Sequence, residues 1–192
     1  MLFLRNMNKL RISKFTAVII AFVCLLILSS GLQAVHAGGG ASPLIETGWL
    51  ADNMKNANVR IVHVGSMNPE SQKYFNMKHI PGSIFVSIGE LMGALGNGTT
   101  PPDKAMSEAM MGRLGISDNT HVVVVGGANN PFAITTLWLM KYNGHKTVSY
   151  LNGGVGKWIK ENRAMTETPS KIKPTKYSAS PDNSIYSNAE NV

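Results

Sequence analysis

A single cysteine, Cys24, occurs in the 192 residues of this chain. No disulfide can form within it, and cysteine-rich zinc sites are excluded. Acidic residues are scarce as well, 11 Asp and Glu against 18 Lys and Arg, for a formal charge of +7. Such a balance invites a nucleic-acid or membrane-surface reading. That reading weakens once the charges are located. Arg5, Lys9, Arg11 and Lys14 stand in the first 37 residues without one acidic residue among them, and the rest of the chain is nearly balanced. The remaining basic residues are scattered and not interleaved with aromatics, so no nucleic-acid surface is expected. Long apolar stretches are also rare. The one run, Phe15 to Leu28, is shorter than the roughly 20 residues of a membrane-spanning helix,. Behind its basic start, and before Ser29-Ser30-Gly31 and the small-x-small pattern around Val35 and Ala37, it reads as a secretory signal covering 1–37 and cleaved after Ala37,. Export to the periplasm or the medium follows, the alternative being an uncleaved anchor, with membrane contact only through this segment. Val23 before Cys24 is bulky, unlike a lipoprotein processing site, so Cys24 leaves with the signal and residues 38–192 hold no thiol.

What remains, at 44% hydrophobic overall with 19 Gly and 9 Pro, has the composition of an ordinary folded domain,. Leu44, Ile45, Trp49, Leu50 and Met54 outline a short strand or turn running into an amphipathic helix. Val59–Val64 is a β-branched strand, followed by a loop with Pro69 and a short helix; Ser83–Val86 is a second strand. The stretch from Gly93 to Asp103 reads as a surface loop, with Asp103 capping a helix from Lys104 to Leu114. Val122–Val125, apolar on both faces, fits a central parallel strand. Pro131 to Tyr142 is a helix ended by Gly144, Thr147–Leu151 a strand, and Asn152-Gly153-Gly154 a turn into a last helix through Trp158. Alternating strands and helices predict an α/β domain with a parallel sheet of about five strands covered on both faces, over residues 43–165. The Pro-, Lys- and Ser-rich segment 166–183, with Lys171, Lys173 and Lys176, reads as a solvated linker. The opening of 184–192 resembles Leu44–Leu50, as if a second, truncated repeat began there.

Three motifs occur in order: His79-Ile80-Pro81-Gly82-Ser83, then Leu114-Gly115-Ile116 before the valine strand, then Gly144-His145-Lys146-Thr147-Val148 with Leu151-Asn152-Gly153-Gly154 and Trp158. Together they resemble the rhodanese family, specifically the N-terminal, non-catalytic half of tandem-domain sulfurtransferases of the thiosulfate or 3-mercaptopyruvate type. On physical grounds these residues are fold chemistry. Gly82, Gly153 and Gly154 suit turns with positive φ, and Pro81 holds Ile80 extended. His79 and His145, beside turns, are expected to hydrogen-bond loops, and Trp158, like Trp138, to lie in the core. No HxxxH or HxH pair exists, and neither a metal nor another cofactor is expected.

In active rhodaneses a cysteine follows the central strand and opens the loop into the next helix. Its thiolate takes up sulfane sulfur, stabilised by loop amides and the positive end of the helix. The resemblance puts that position at Gly126, in the loop Gly126-Gly127-Ala128-Asn129-Asn130 before Pro131, so the chain is expected to transfer no sulfur. His63 and Gly65 also stand where the family usually has Asp and Arg. Two roles are open: a structural or regulatory half whose catalytic cysteine lies in a domain beyond Val192, or a stand-alone binding module for an anion such as thiosulfate or sulfate, or for a protein. A Gly-rich loop before a helix offers amides to an anion, although Pro131 removes one of them. A phosphatase of related fold would need the same missing cysteine. Met106, Met110 and Met111, with Leu114, have the spacing of a buried helix face rather than of a copper site.

Overall fold

The computed structural model describes residues 42–95, 101–127 and 130–187, all of them in the compact unit that runs from Gly40 onward. The signal reading of 1–37, Ala128 and Asn129 of the loop, and the last residues of 184–192 lie outside the described residues.

Five strands, β1 (Leu44–Ile45), β2 (Val59–Val64), β3 (Ser83–Val86), β4 (His121–Val125) and β5 (Val148–Leu151), form one sheet in the order β1-β5-β4-β2-β3. Every pairing is parallel. Among the described residues five helices connect them, α1 (Thr47–Asn53), α2 (Ser71–Met77), α3 (Ile88–Leu95), α4 (Lys104–Arg113) and α5 (Pro131–Tyr142), and α6 (Gly154–Lys160) follows β5. The four valines of β4 explain the two layers. Val122 and Val124 point to one face, against Met110 and Met111 of α4 and Leu139 and Met140 of α5, whereas Val123 and Val125 point to the other, against Leu50 of α1 and Trp158 of α6. Alternation along a central strand thus builds two cores from one apolar run. On the second face Glu46 pairs with Lys157 and Asn152, and Glu161 with Thr47 and Arg163, tying α1 to α6.

Helix caps match the chemistry of their residues. The Asp103 side chain accepts from the Met106 amide at 2.7 Å and opens α4, and Pro131 occupies the first turn of α5,. Three expectations need correction. The stretch read as loop from Gly93 is helical to Leu95, because Leu91 and Ala94 bury against the first core. Met106 does not join the buried stripe; it sits in the first turn of α4 and is half exposed, and Ser107 occupies the buried face beside Met110 and Met111. Segment 166–183 is a docked strap rather than a solvated spacer, although its lysines do face outward. Tyr177 and Ala179 are buried in the first core, and the strap amides of Thr175, Ser180 and Asp182 donate to the carbonyls of Gly112, Asn143 and Tyr142. Two apolar residues and a ladder of backbone bonds outweigh the tendency of Lys and Ser to stay in water.

Candidate functional site

In an open parallel sheet, ligands gather at the carboxyl ends of the strands. Here that rim is formed by the end of β2 (His63 to Gly65), the end of β4 with Gly126 and Gly127, and the starts of α2, α5 and α6. Asn130 holds them together. Its side-chain amide donates to the carbonyls of Val64 (3.0 Å) and Gly65 (2.9 Å), and its side-chain oxygen accepts from the Phe132 amide (3.1 Å) to cap α5. The Asn130 side chain is thus spent on holding the rim together.

Gly126 is packed as tightly. Its carbonyl accepts from the Val155 amide at 3.1 Å, joining β4 to the first turn of α6. A Cβ at Gly126 would stand 2.8 Å from Cβ of Ala133 and 3.2 Å from Cβ of Asn130. Across the turn, a Cβ on Gly154 would collide with that same Gly126 carbonyl, and Gly154 has φ +55°. Thus the position where the resemblance expects a nucleophile is filled by the backbone and helix around it.

Beside Gly127 opens a cavity of about 230 Å³, with His63, Ser71, Phe75, Lys78, Val155 and Ile159 among its lining. His63 and Lys78 were not singled out as site residues from sequence, although the end of a central parallel strand marked the region. His63 packs edge-on to Phe75 with ring centres 5.2 Å apart and stacks over Phe85 at 6.2 Å. Its Nδ1 is buried without a partner. Burial, with His79 adding in the same direction, holds the His63 imidazole down at about 4, so it is neutral at physiological pH,. Among the described residues no carboxylate lies within ion-pair reach of Lys78. Gly65 has a packing reason, since a Cβ there would meet the Phe85 ring at 2.8 Å.

The other motif residues serve the packing around the sheet, His145 and Gly144 at its amino end and Gly153 with Trp158 at its carboxyl end. His79 is buried, with Nδ1 2.7 Å from the Phe75 carbonyl and Nε2 3.2 Å from that of Thr168, while its backbone pairs with Thr166 of the strap. His145 is buried and donates from Nε2 to the Thr120 carbonyl at 3.0 Å. Gly82 has φ +82°; Pro81 before it is half-buried, and Ser83 after it donates to the Ile80 carbonyl. Gly144, at φ +83°, passes so close to the strap that a Cβ would stand 2.8 Å from the Ser180 carbonyl oxygen. Gly153, at φ +72°, turns the chain into α6, whose Trp158 is buried and donates to the Ala164 carbonyl at 2.8 Å. His121 and Ser149, 2.9 Å apart, would look like a catalytic pair in isolation. They are not one: Ser149 is fully buried and donates to the Ser42 carbonyl, so His121 is its donor rather than its base. Among the described residues no three His, Cys, Asp or Glu side chains group to hold a metal, and no helix is long and apolar enough to cross a membrane.

The parallel sheet, its carboxyl-end loop and the glycine turns coincide with a family match. The model of the rhodanese-like domain matches residues 46–161. The chain belongs to the rhodanese-like domain family. Among similar curated proteins, thiosulfate sulfurtransferase of Cricetulus griseus is 34% identical over 164 residues, covering 78% of this chain and 54% of the relative. The sulfur carrier protein TtuD of Thermus thermophilus is 31% identical, covering 70% and 45%. 3-Mercaptopyruvate sulfurtransferase of Rattus norvegicus is 25% identical, covering 78% and 54%. The chain therefore spans about half the length of the curated relatives it matches. In fold, this rhodanese-like domain superposes on the Escherichia coli 3-mercaptopyruvate sulfotransferase SseA with a TM-score of 0.66 at 19% identity, covering 78% of this chain and 60% of that one.

Proposed function

We propose that this rhodanese-like domain is an exported, non-catalytic half of a sulfurtransferase, serving a sulfur-transferring domain that carries the cysteine. The observation that carries the reading is the closed position at Gly126. A persulfide-forming thiolate needs a side chain at the loop and space before it. Here Cys24 is the only cysteine of the chain, and Ala133 and Asn130 occupy the space a side chain at 126 would need. Sulfane sulfur transfer from thiosulfate or mercaptopyruvate to a thiophilic acceptor is then the task of the partner domain, and this half contributes shape and stability.

The test is a thiosulfate-to-cyanide assay on the chain and on the product of its intact reading frame. The expected result is silence in the chain and turnover only in a longer product. Activity in the chain itself would overturn the reading, because no thiol stands at the rim to carry the sulfur.

A second reading rests on the cavity beside Gly127. Lys78 without a carboxylate and the neutral His63 give it a lining suited to a small anion, which would make the domain a periplasmic binding module,. Calorimetric titration with thiosulfate and with sulfate tests it; heat abolished by Lys78→Ala supports the module, and no heat with either ion removes it.

A further inference from the structure

Phe75 is a wall of two cavities. One is the rim cavity with His63 and Lys78; the other lies between the strap and β3. The second encloses about 390 Å³, inside the roughly 300 to 1,000 Å³ of small-molecule sites, whereas the rim cavity, at about 230 Å³, falls below that range,. The charges of the two differ in sign. Lys78 lines the rim cavity, but no lysine or arginine lines the second, where the one carboxylate is that of Glu167.

One side of this second cavity is the open edge of the sheet. β3 pairs with β2 and, among the described residues, has no strand on its other side. The Gly65 amide donates to the Val86 carbonyl at 2.9 Å, and in the register that sets Val64 opposite Val86 the ladder to β2 takes the backbone groups of Ile84 and Val86. Those of Phe85 therefore turn outward, because successive residues of a paired strand address opposite sides. Ser83 shares that direction; its amide and hydroxyl both donate to the Ile80 carbonyl, which leaves its own carbonyl at the edge.

The strap forms the facing side. Its course is fixed where the backbones of His79 and Thr166 pair, and both ring nitrogens of His79 are engaged with the carbonyls of Phe75 and Thr168. Just beyond, Ser170 Oγ is buried without a hydrogen-bond partner. Among the described residues no basic side chain lies within ion-pair reach of Glu167, and Lys171, next along the strap, is exposed and outside the lining. A carboxylate, two outward carbonyls and an unpartnered hydroxyl make a site rich in acceptors beside the rings of Phe75 and Phe85. Donors that carry positive charge complement such a set best, and an apolar body attached to them covers the rings.

We propose that the cavity between the strap and β3 binds a small organic cation, an ammonium group carried on an apolar body. The ammonium group lies against the Glu167 carboxylate and the edge carbonyls of Ser83 and Phe85, and the body lies against Phe75 and Phe85. The site is separate from sulfur transfer, since Glu167 and Ser170 stand outside the rim.

Backbone-amide NMR on the 192-residue chain tests it, with benzylamine as the probe and two molecules of similar shape for comparison, the neutral benzyl alcohol and the anionic benzoate. Benzylamine is expected to shift the Phe85, Glu167 and Ser170 amides saturably, with a dissociation constant on the order of 1 mM for a ligand of this size. Glu167→Gln, at an exposed position, should weaken binding by at least about fivefold, and benzyl alcohol should bind the unaltered chain more weakly by a similar factor. Asp52→Asn, which removes an exposed carboxylate on α1, should leave the titration unchanged. No saturable shift at those three amides would overturn the site. Equal binding of benzyl alcohol or benzoate, or a titration indifferent to Glu167→Gln, would overturn the assignment of a cation.

Discussion

The two ends of the sheet are built by different rules. At the amino end, His121 and His145 each have a hydrogen-bond partner on the neighbouring strand or loop. At the carboxyl end, His63 has a buried nitrogen without a partner, Lys78 has no carboxylate within reach among the described residues, and a cavity opens between them. Buried polar atoms without a partner occur at both ends, Arg60 Nε and Asn143 Oδ1 as well as His63 Nδ1, so what marks the carboxyl end is the cavity beside His63, where the fold places ligands,. The difference teaches that histidine count says little about function in this domain; which end of the sheet a histidine occupies says much more.

The largest expected effect is at the carboxyl end, where the loops touch through backbone. Gly154→Ala forces a Cβ onto the Gly126 carbonyl at a positive φ and should cost about 4 kcal/mol or prevent folding,. Urea denaturation measures it, and a loss below about 1 kcal/mol would show that the crossing is loose. His79→Ala, on the far side of Phe75 from His63, removes the imidazole that lies between the Phe75 and Thr168 carbonyls and steadies the strap, for an expected loss of about 3 kcal/mol with earlier proteolysis after Thr168,.

Acid separates the ends differently. The unfolded chain protonates His63 near its ordinary value, whereas the folded protein resists until about 4, so the unfolded state binds more protons in between,. Stability is therefore fully present above pH 6.5 and is lost as the pH falls toward 4, by up to about 3 kcal/mol from this group. Burial lowers His121 and His145 in the same direction. His63→Leu should flatten the acid limb while leaving stability at pH 7 nearly unchanged; an identical acid limb in that variant would move the effect to the amino end.

Smaller still is Gly126→Cys. Overpacking against Ala133 should cost about 2 kcal/mol and confer no sulfur transfer, and adding Ala133→Gly should recover most of the stability,. Full activity from Gly126→Cys alone would show that the position is open after all. Lys78→Ala should shift stability by no more than about 0.5 kcal/mol, so any loss of anion binding in that variant reports on the cavity itself.

Much of this was legible along the chain because the relevant signals are local. The β-branched runs at Val59–Val64 and Val122–Val125 announced strands, Asp103 and Pro131 announced helix starts, and Gly82, Gly144, Gly153 and Gly154 sit at positive φ as their turns demanded,. Segment 166–183 misled because Lys, Pro and Ser describe its outward side, whereas its attachment depends on Tyr177 and Ala179 finding a core made by α4 and α5. The cavity was harder to see, since His63, Lys78 and Gly127 are brought together by the crossovers of a parallel sheet and no spacing in the chain records that meeting.

By itself, then, the order of residues determined the alternation of strands and helices, the turns, and the absence of a thiol after Cys24, since each depends on side-chain type and short-range backbone preference. Only the tertiary structure decided that Gly126 has no room for a side chain and that the strap is docked. Those properties depend on distances between segments far apart in the chain, which packing sets and local preference does not.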